Sequence, residues 1–417
     1  MTHPLLELPA AFHRGWPVGI TSVCSAHPVV IEAALRRALE TGRLALIEAT
    51  CNQVNQDGGY TGMTPARFRD FVQDISARVG LPFDRIVLGG DHLGPNPWRH
   101  LPAAEAMAKA ETMVAAFAAA GFSKLHLDCS MGCAGEPAAL DDRTIASRAA
   151  RLASAAEANR TGPHAPVYVI GTEVPVPGGA VEALDHLEVT TPEAVAETYA
   201  IHRDAFAARD LDEAFARVIA MVVQPGVEFG QSDVVRFVPE RARHLTDILT
   251  RWPNLVFEAH STDYQAEADL AALVRGGFAI LKVGPQLTFA LRQALYGLDA
   301  IADVLDGGVP LGGLMAAMDR IMEADPANWA RYYEGTETQR FVQRHFSYSD
   351  RIRYYWASPA ASAAVEALLA RFDGRIIPAP LQLQFLGRDR GDVSATDVLI
   401  AAVEDVLDLY DRSCQPG

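Results

Sequence analysis

Along the chain, short β-rich apolar runs alternate with longer Ala-rich stretches whose apolar residues recur at helical spacing. That alternation predicts repeated strand-helix units and a parallel sheet. The runs are Val18 to Val23, Leu44 to Glu48, Ile86 to Gly90, Lys124 to Asp128, Val167 to Gly171, Val218 to Val223, Val256 to His260, and Ala279 to Val283. Eight units within about 290 residues suit a closed barrel, whereas a doubly wound sheet usually needs fewer. The pattern therefore predicts an α/β protein with a (β/α)8 TIM barrel over residues 1–290. After Gly284 the strand pattern stops and Ala-rich helical stretches take over. Residues 291–417 are expected to form a C-terminal helical extension packed on the barrel.

A barrel places its reacting groups at the C-terminal ends of its strands, whatever its chemistry. In order, these tips carry Ser25 with His27, Glu48 with Asn52, Asp91 with His92, Asp128 with Ser130, Glu173, Gln224 with Glu228, Glu258 with His260, and Lys282. Parallel strands buried on both faces should be nearly all apolar. Any one of these residues can be explained as a helix cap or a solvated side chain. Charges at so many tips together call for a shared polar site. In the extension, the segment SYSDRIRYYW from Ser347 to Trp356 gathers Arg351, Arg353, Tyr354 and their aromatic neighbours. It either closes over the barrel mouth to contact a phosphate or forms a packed aromatic face with solvated arginines.

Composition narrows the class. With 49% hydrophobic and 21% charged residues in 417, the chain can bury a large core and is not a disordered protein. A net charge of -16 without any run of Lys and Arg argues against nucleic acid and anionic lipid as partners. A small anionic substrate stays possible, because a phosphate responds to a few cations converging locally. Five cysteines in uneven spacing, and no basic segment followed by an apolar one at the start, point to a reduced cytoplasmic protein. Cys129 and Cys133 lack the partner pair of a zinc ribbon. No apolar stretch reaches the ~18 residues of a membrane span. Phosphotransfer from ATP and a bound nicotinamide are both unsupported, since neither G-x-x-x-x-G-K-[ST] nor a strand-linked G-x-G-x-x-G is present.

The segments VCSAHPVVIEAAL, LIEATCNQVNQDGGYTGMTP, GGDHLGPN, HLDCSMGCAG, VIGTEVPVPGG, VVQPGVEF, FEAHSTDYQ, ILKVGPQLTFALR and YSDRIRYYW resemble those of the GatZ/KbaZ family. The match runs from about residue 15 to about residue 357. It implies a class II aldolase-like barrel and one of two functions. One is a stand-alone 4-epimerase converting tagatose 6-phosphate to fructose 6-phosphate. The other is a non-catalytic subunit stabilising a class II tagatose-1,6-bisphosphate aldolase; an aldolase in its own right is a weaker third. A more distant similarity to the catalytic class II aldolases implies roles for single residues. Asp91-His92 matches an Asp that exchanges protons beside a His that ligates metal. Glu173 matches a strand-end glutamate, and His260 a second metal histidine followed by a phosphate-binding turn. KVGPQLTFAL resembles the segment whose amides bind substrate phosphate. At the sixth strand the aldolases have another metal histidine, where this chain offers Gln224 or Glu228. His92 and His260 are thus expected to take a third ligand from Glu173, Gln224 or Glu228, around a divalent metal ion left open between Zn, Mn and Mg.

The implied chemistry constrains the site further. The hydrogen on C4 of a 2-ketose is not α to the carbonyl, so direct deprotonation gives no stabilised enolate. Without a nicotinamide, the remaining route is retro-aldol cleavage of C3–C4, rotation of the aldehyde and re-addition. Asp91 is the first expected acid/base on the C4 oxygen, with Asp128 or Glu48 as alternatives. The phosphate is expected at backbone amides near Ser261 and Lys282, with Arg351 or Arg353 reaching in. Ser25 and Asn52 complete the expected substrate contacts. Expected partners are a small phosphorylated ketose, further copies of the chain in a homo-oligomer, and, on the second reading, an aldolase catalytic subunit.

Overall fold

The structure is a computed structural model and describes residues 2–171 and 187–415. Strands β1 (Ile20–Cys24), β2 (Ala45–Thr50), β3 (Ile86–Leu93), β4 (Lys124–Leu127), β5 (Val167–Ile170) and β6 (Val218–Val222) pair in sequence order. A small antiparallel hairpin follows, made of β7 (Glu228–Phe229) and β8 (Val234–Val235). Then β9 (Val256–Ala259) and β10 (Phe278–Val283) complete the ring, β10 pairing in parallel with β1. All eight apolar runs are barrel strands, and the chain is a (β/α)8 TIM barrel.

Two apolar layers hold it. Outward residues such as Ile47, Leu88 and Phe257 pack under helical Leu35, Val72 and Phe117 in the main core. Inward residues Leu46, Val87, Val169, Ile219, Val256 and Ile280 form a separate cluster with Leu5 and Leu8 of the N-terminal segment. The N-terminal end of the barrel is thereby plugged with apolar side chains. The buried charged groups of the barrel interior gather at the other end, where barrels carry their sites.

Two local irregularities in β3 shape that end. Glu48, Gly89 and Lys124 lie level across β2, β3 and β4. A Cβ on Gly89 would sit 2.6 Å from Cγ of Glu48, so the absent side chain lets Glu48 cross β3. Farther along, the β3–β4 register shifts between Gly90 and Leu93, and His92 has φ 50°. In a regular strand neighbouring side chains point to opposite faces. The bulge removes that alternation and lets both Asp91 and His92 be buried together at the barrel end.

The C-terminal helices do not merely trail behind. The last one, Ala395–Ser413, returns to pack against Pro285–Leu305, Pro28–Thr41 and Glu267–Arg275. It fills a place in the outer ring between the helices that follow β1 and β9. The Tyr410 hydroxyl donates to Thr262 O (2.8 Å), and Gly19 N donates to Cys414 O (2.9 Å). Among the described residues no helix is long and apolar enough to cross a membrane.

Candidate active site

The floor of the polar end is a buried ion-pair lattice. Lys124 Nζ lies 2.6 Å from Glu48 Oε1 and 2.5 Å from Glu258 Oε2. Lys282 Nζ lies 2.9 Å from Glu48 Oε2 and 2.6 Å from Asp91 Oδ1. Ser22 adds a hydrogen bond to Glu48 (2.8 Å). Burial alone would push the lysines toward neutrality. The surrounding carboxylates outweigh it and raise Lys124, and raise Lys282 well above the ordinary lysine value.

Three histidines stand on this floor. The rings of His92, His126 and His260 form a nearly equilateral triangle, with centroids 5.0, 4.9 and 5.2 Å apart. Asp91, His92, His126 and His260 each offer a ligand atom within 4.8 Å of the others. Each ring is fixed from behind. Asp128 Oδ2 holds Nδ1 of His92 (2.8 Å), Glu258 Oε1 holds Nε2 of His260 (2.9 Å), and Asp91 Oδ1 holds Nδ1 of His126 (2.9 Å). Among the described residues, Nε2 of His126 is buried with no hydrogen-bond partner. Burial pushes His260 down to about 3. Burial opposes the charge on His92 too, but Asp91 and Asp128 raise it. For Asp91 itself, burial would raise the carboxyl; the charges of His92 and Lys282 prevail and hold it well below the usual range.

The buried charges at this end do not balance among the described residues. Glu48, Asp91, Asp128 and Glu258 face Lys124 and Lys282, and all six are buried. Counted among the described residues, a neutral His92 leaves two negative charges uncompensated and a protonated His92 leaves one, a cost in a dry interior. A divalent cation among the histidines would cancel it, and the orphaned nitrogen of His126 would become a ligand. Three histidines with an adjacent carboxylate are a donor set suited to zinc. The carboxylates behind the rings are of the kind that orient metal-ligating histidines.

Above the cluster opens a cavity walled by Asn52, Tyr60, Asp91, His92, His260, Ser261, Lys282, Arg353 and Tyr354. His92, His260 and Asp91 therefore stand together as expected. Several other expectations are corrected. Gln224 spends its Oε1 on the amides of Gly226 (2.8 Å) and Val227 (3.0 Å), so it caps its own turn rather than joining the ligand group. The third histidine of the group is His126 on β4, a residue outside the expected set of Glu173, Gln224 and Glu228. Asp128 and Glu48 lie behind His92 and below the lysines, outside the cavity wall, so neither is placed to meet a substrate oxygen. Lys282 reaches the wall, but its ammonium is committed to Glu48 and Asp91. The amides of Gly284 and Gln286 donate to Asp263 Oδ1 (3.1 and 2.8 Å), which removes two of the expected phosphate donors. Ser25 accepts from His27 N and lines a separate, more apolar cavity. Arg351 sits against Tyr332 and lines an adjoining cavity, so its expected phosphate contact would be made there and not at this wall. Glu173 lies outside the described residues.

His126 was legible in principle. Lys124, His126 and Asp128 recur at every second position of a run that should be apolar, so one face of β4 is polar and faces inward. Tyr60 and Tyr354, in contrast, meet edge-to-face (4.9 Å) from segments far apart in sequence.

Comparison with known proteins agrees with the barrel fold. The family model "D-tagatose-1,6-bisphosphate aldolase subunit GatZ/KbaZ-like" matches residues 5–415. A D-tagatose 6-phosphate 4-epimerase of Agrobacterium fabrum is 53% identical, with 100% of both chains covered. A D-tagatose-1,6-bisphosphate aldolase subunit GatZ of Salmonella dublin is 47% identical, over 98% of this chain and 99% of that one. The crystal structure of a probable tagatose 6 phosphate kinase from Sinorhizobium meliloti 1021 superposes with a TM-score of 0.87 at 53% identity. It covers 95% of this chain and 100% of its own.

Proposed function

Because the chain belongs to the GatZ/KbaZ-like family, we propose that it interconverts tagatose 6-phosphate and fructose 6-phosphate as a metal-assisted 4-epimerase. The observation that carries this is the convergence of His92, His126, His260 and Asp91 in one buried group, three of which line the cavity above it. His92, His126 and His260 would hold a divalent ion, with Asp91 beside it. When bound, such an ion supplies Lewis acidity toward the C2 carbonyl and C3 hydroxyl of a ketose.

Asp91 is held ionised and lines the cavity, so it can take the proton of the C4 hydroxyl as the C3–C4 bond breaks. The electron pair of that bond passes toward the C2 carbonyl and leaves an enediolate on the ketose fragment and an aldehyde at C4. The aldehyde turns its other face, the bond re-forms, and Asp91 returns the proton to the new C4 oxygen. Lys282 stays charged throughout and keeps Asp91 oriented. Walls of Tyr60 and Tyr354 keep the fragments from exchanging with solvent. The same reading makes the protein a cytoplasmic one that associates with itself.

The test is to incubate the purified chain alone with tagatose 6-phosphate and follow products by NMR, with and without chelator. Fructose 6-phosphate should form, and both chelator and His126→Ala should abolish it. No conversion with any divalent ion, together with stimulation of an added class II aldolase, would instead establish the accessory-subunit role that the GatZ relatives' names describe.

A further inference from the structure

Beside the cavity over the histidines lies a second one of about 560 Å³, into which Arg99, Arg331 and Arg351 converge. Asn52, Tyr60 and Tyr354 line both, so the two spaces adjoin across these side chains. Among the described residues no Asp or Glu lines the second cavity, although the chain carries a net charge of -16. Among the described residues none of the three arginines forms an ion pair with a carboxylate. Arg99 lies 3.8 Å from the Met131 sulfur, and Arg331 donates to the Tyr332 hydroxyl. Arg351 donates to Asn328 O (2.9 Å) with its guanidinium 3.1 Å over the Tyr332 ring.

Exposed arginines such as Arg99 and Arg331 are ordinary when solvated singly. Arg351 is different, because it is buried. A buried guanidinium with no counter-charge is costly, and an arriving anion relieves that cost. The competing location is weaker: at the turn after β10 two amides are already taken by the Asp263 carboxylate, which also brings negative charge to the neighbouring cavity. Planar guanidinium forks match phosphate oxygens geometrically.

We propose that this arginine-lined cavity holds the phosphate of the ketose, with Arg351 at its base and Arg99 and Arg331 at its rim. The sugar then extends past Tyr60 and Tyr354 to the histidines. Arg99 and Arg331 become the determinants that separate phosphorylated from free ketose. The assignment rests on the proposed function for the identity of the sugar, not for the existence of the anion site.

The experiment is calorimetric titration of the whole protein with fructose 6-phosphate and with fructose, at two salt concentrations. The wild type should prefer the phosphorylated sugar, more strongly at low salt. The Arg99→Ser/Arg331→Ser variant, whose sites are exposed and whose melting curve reports folding, should lose about tenfold or more of that preference without weaker binding of fructose. Arg351→Lys, which keeps charge but loses the fork, should fall between. A double variant with undiminished preference, or a wild type with none, would overturn the assignment. Preference lost in the variant while no epimerisation occurs would sustain the anion site and refute the activity; epimerisation with preference intact would do the reverse.

Discussion

At the residue scale, the site depends on which atom of each side chain is already engaged. Among the described residues, His126 keeps Nε2 without a partner while Nδ1 is held by Asp91. His126→Ala should therefore abolish stoichiometric metal in elemental analysis of the purified protein while far-UV circular dichroism stays native. Metal retained at wild-type stoichiometry would remove His126 from the ligand set. Asp128 acts through His92, so Asp128→Asn should weaken metal binding by roughly 10- to 100-fold, read from competition with a chelator, rather than eliminate it. Glu228 offers a test independent of metal. Burial raises its carboxyl from 4.5 to about 7. Between those values the folded chain keeps a proton that the unfolded chain has released, so this group withdraws stability as pH rises through the window, by on the order of 3 kcal/mol. Glu228→Gln should melt like the wild type near pH 4.5 and at higher temperature than the wild type above pH 7. Parallel melting curves across that range would show that Glu228 titrates normally.

At the element scale, the two ends of β3 do different work. Gly89 opens the strand so that Glu48 can reach Lys124, and the bulge at Asp91 and His92 turns two consecutive side chains to the site. In Gly89→Ala the new Cβ displaces a carboxylate wedged between two lysines. The expected cost is about 1–3 kcal/mol, measured as a lower melting temperature, with some loss of activity because Lys282 and Asp91 hang on the same lattice. An unchanged melting temperature would mean that Glu48 has room to move. Polar residues at alternate positions in β4 and β9 are the sequence signature of this lattice. Lys124, His126 and Asp128 share one face, as do Glu258 and His260. Lys124 and His126 precede the tip of β4, so the strand tips alone do not reveal them.

At the scale of the whole molecule, the barrel is completed by its own C-terminus. Val398, Leu399, Val403, Leu407 and Tyr410 of the last helix are all buried. A chain ending at Val393 should expose their partners on three helices of the ring and lose near-UV circular dichroism or solubility. A soluble, cooperatively melting barrel from residues 1–290 alone would show instead that the extension is a separable unit. The extension also brings Arg351, Arg353 and Tyr354 to the mouth. Its helices thus serve both closure of the ring and the site.

The sequence by itself determined the eight strands, their order and the polar character of one barrel end, because burial period and strand length are local properties of the chain. It also placed Asp91, His92 and His260 at strand ends, and those three meet. What the chain alone did not reveal depends on register and side-chain direction. Only the closed barrel brings His126 from β4 across to His260 after β9, turns Asp128 and Glu48 away from the cavity to serve as supports, and spends Gln224 on its own turn. The direction in which a side chain points, and which partner has already claimed it, follow from neighbours distant in sequence. The lattice and the arginine cavity are therefore products of the tertiary structure.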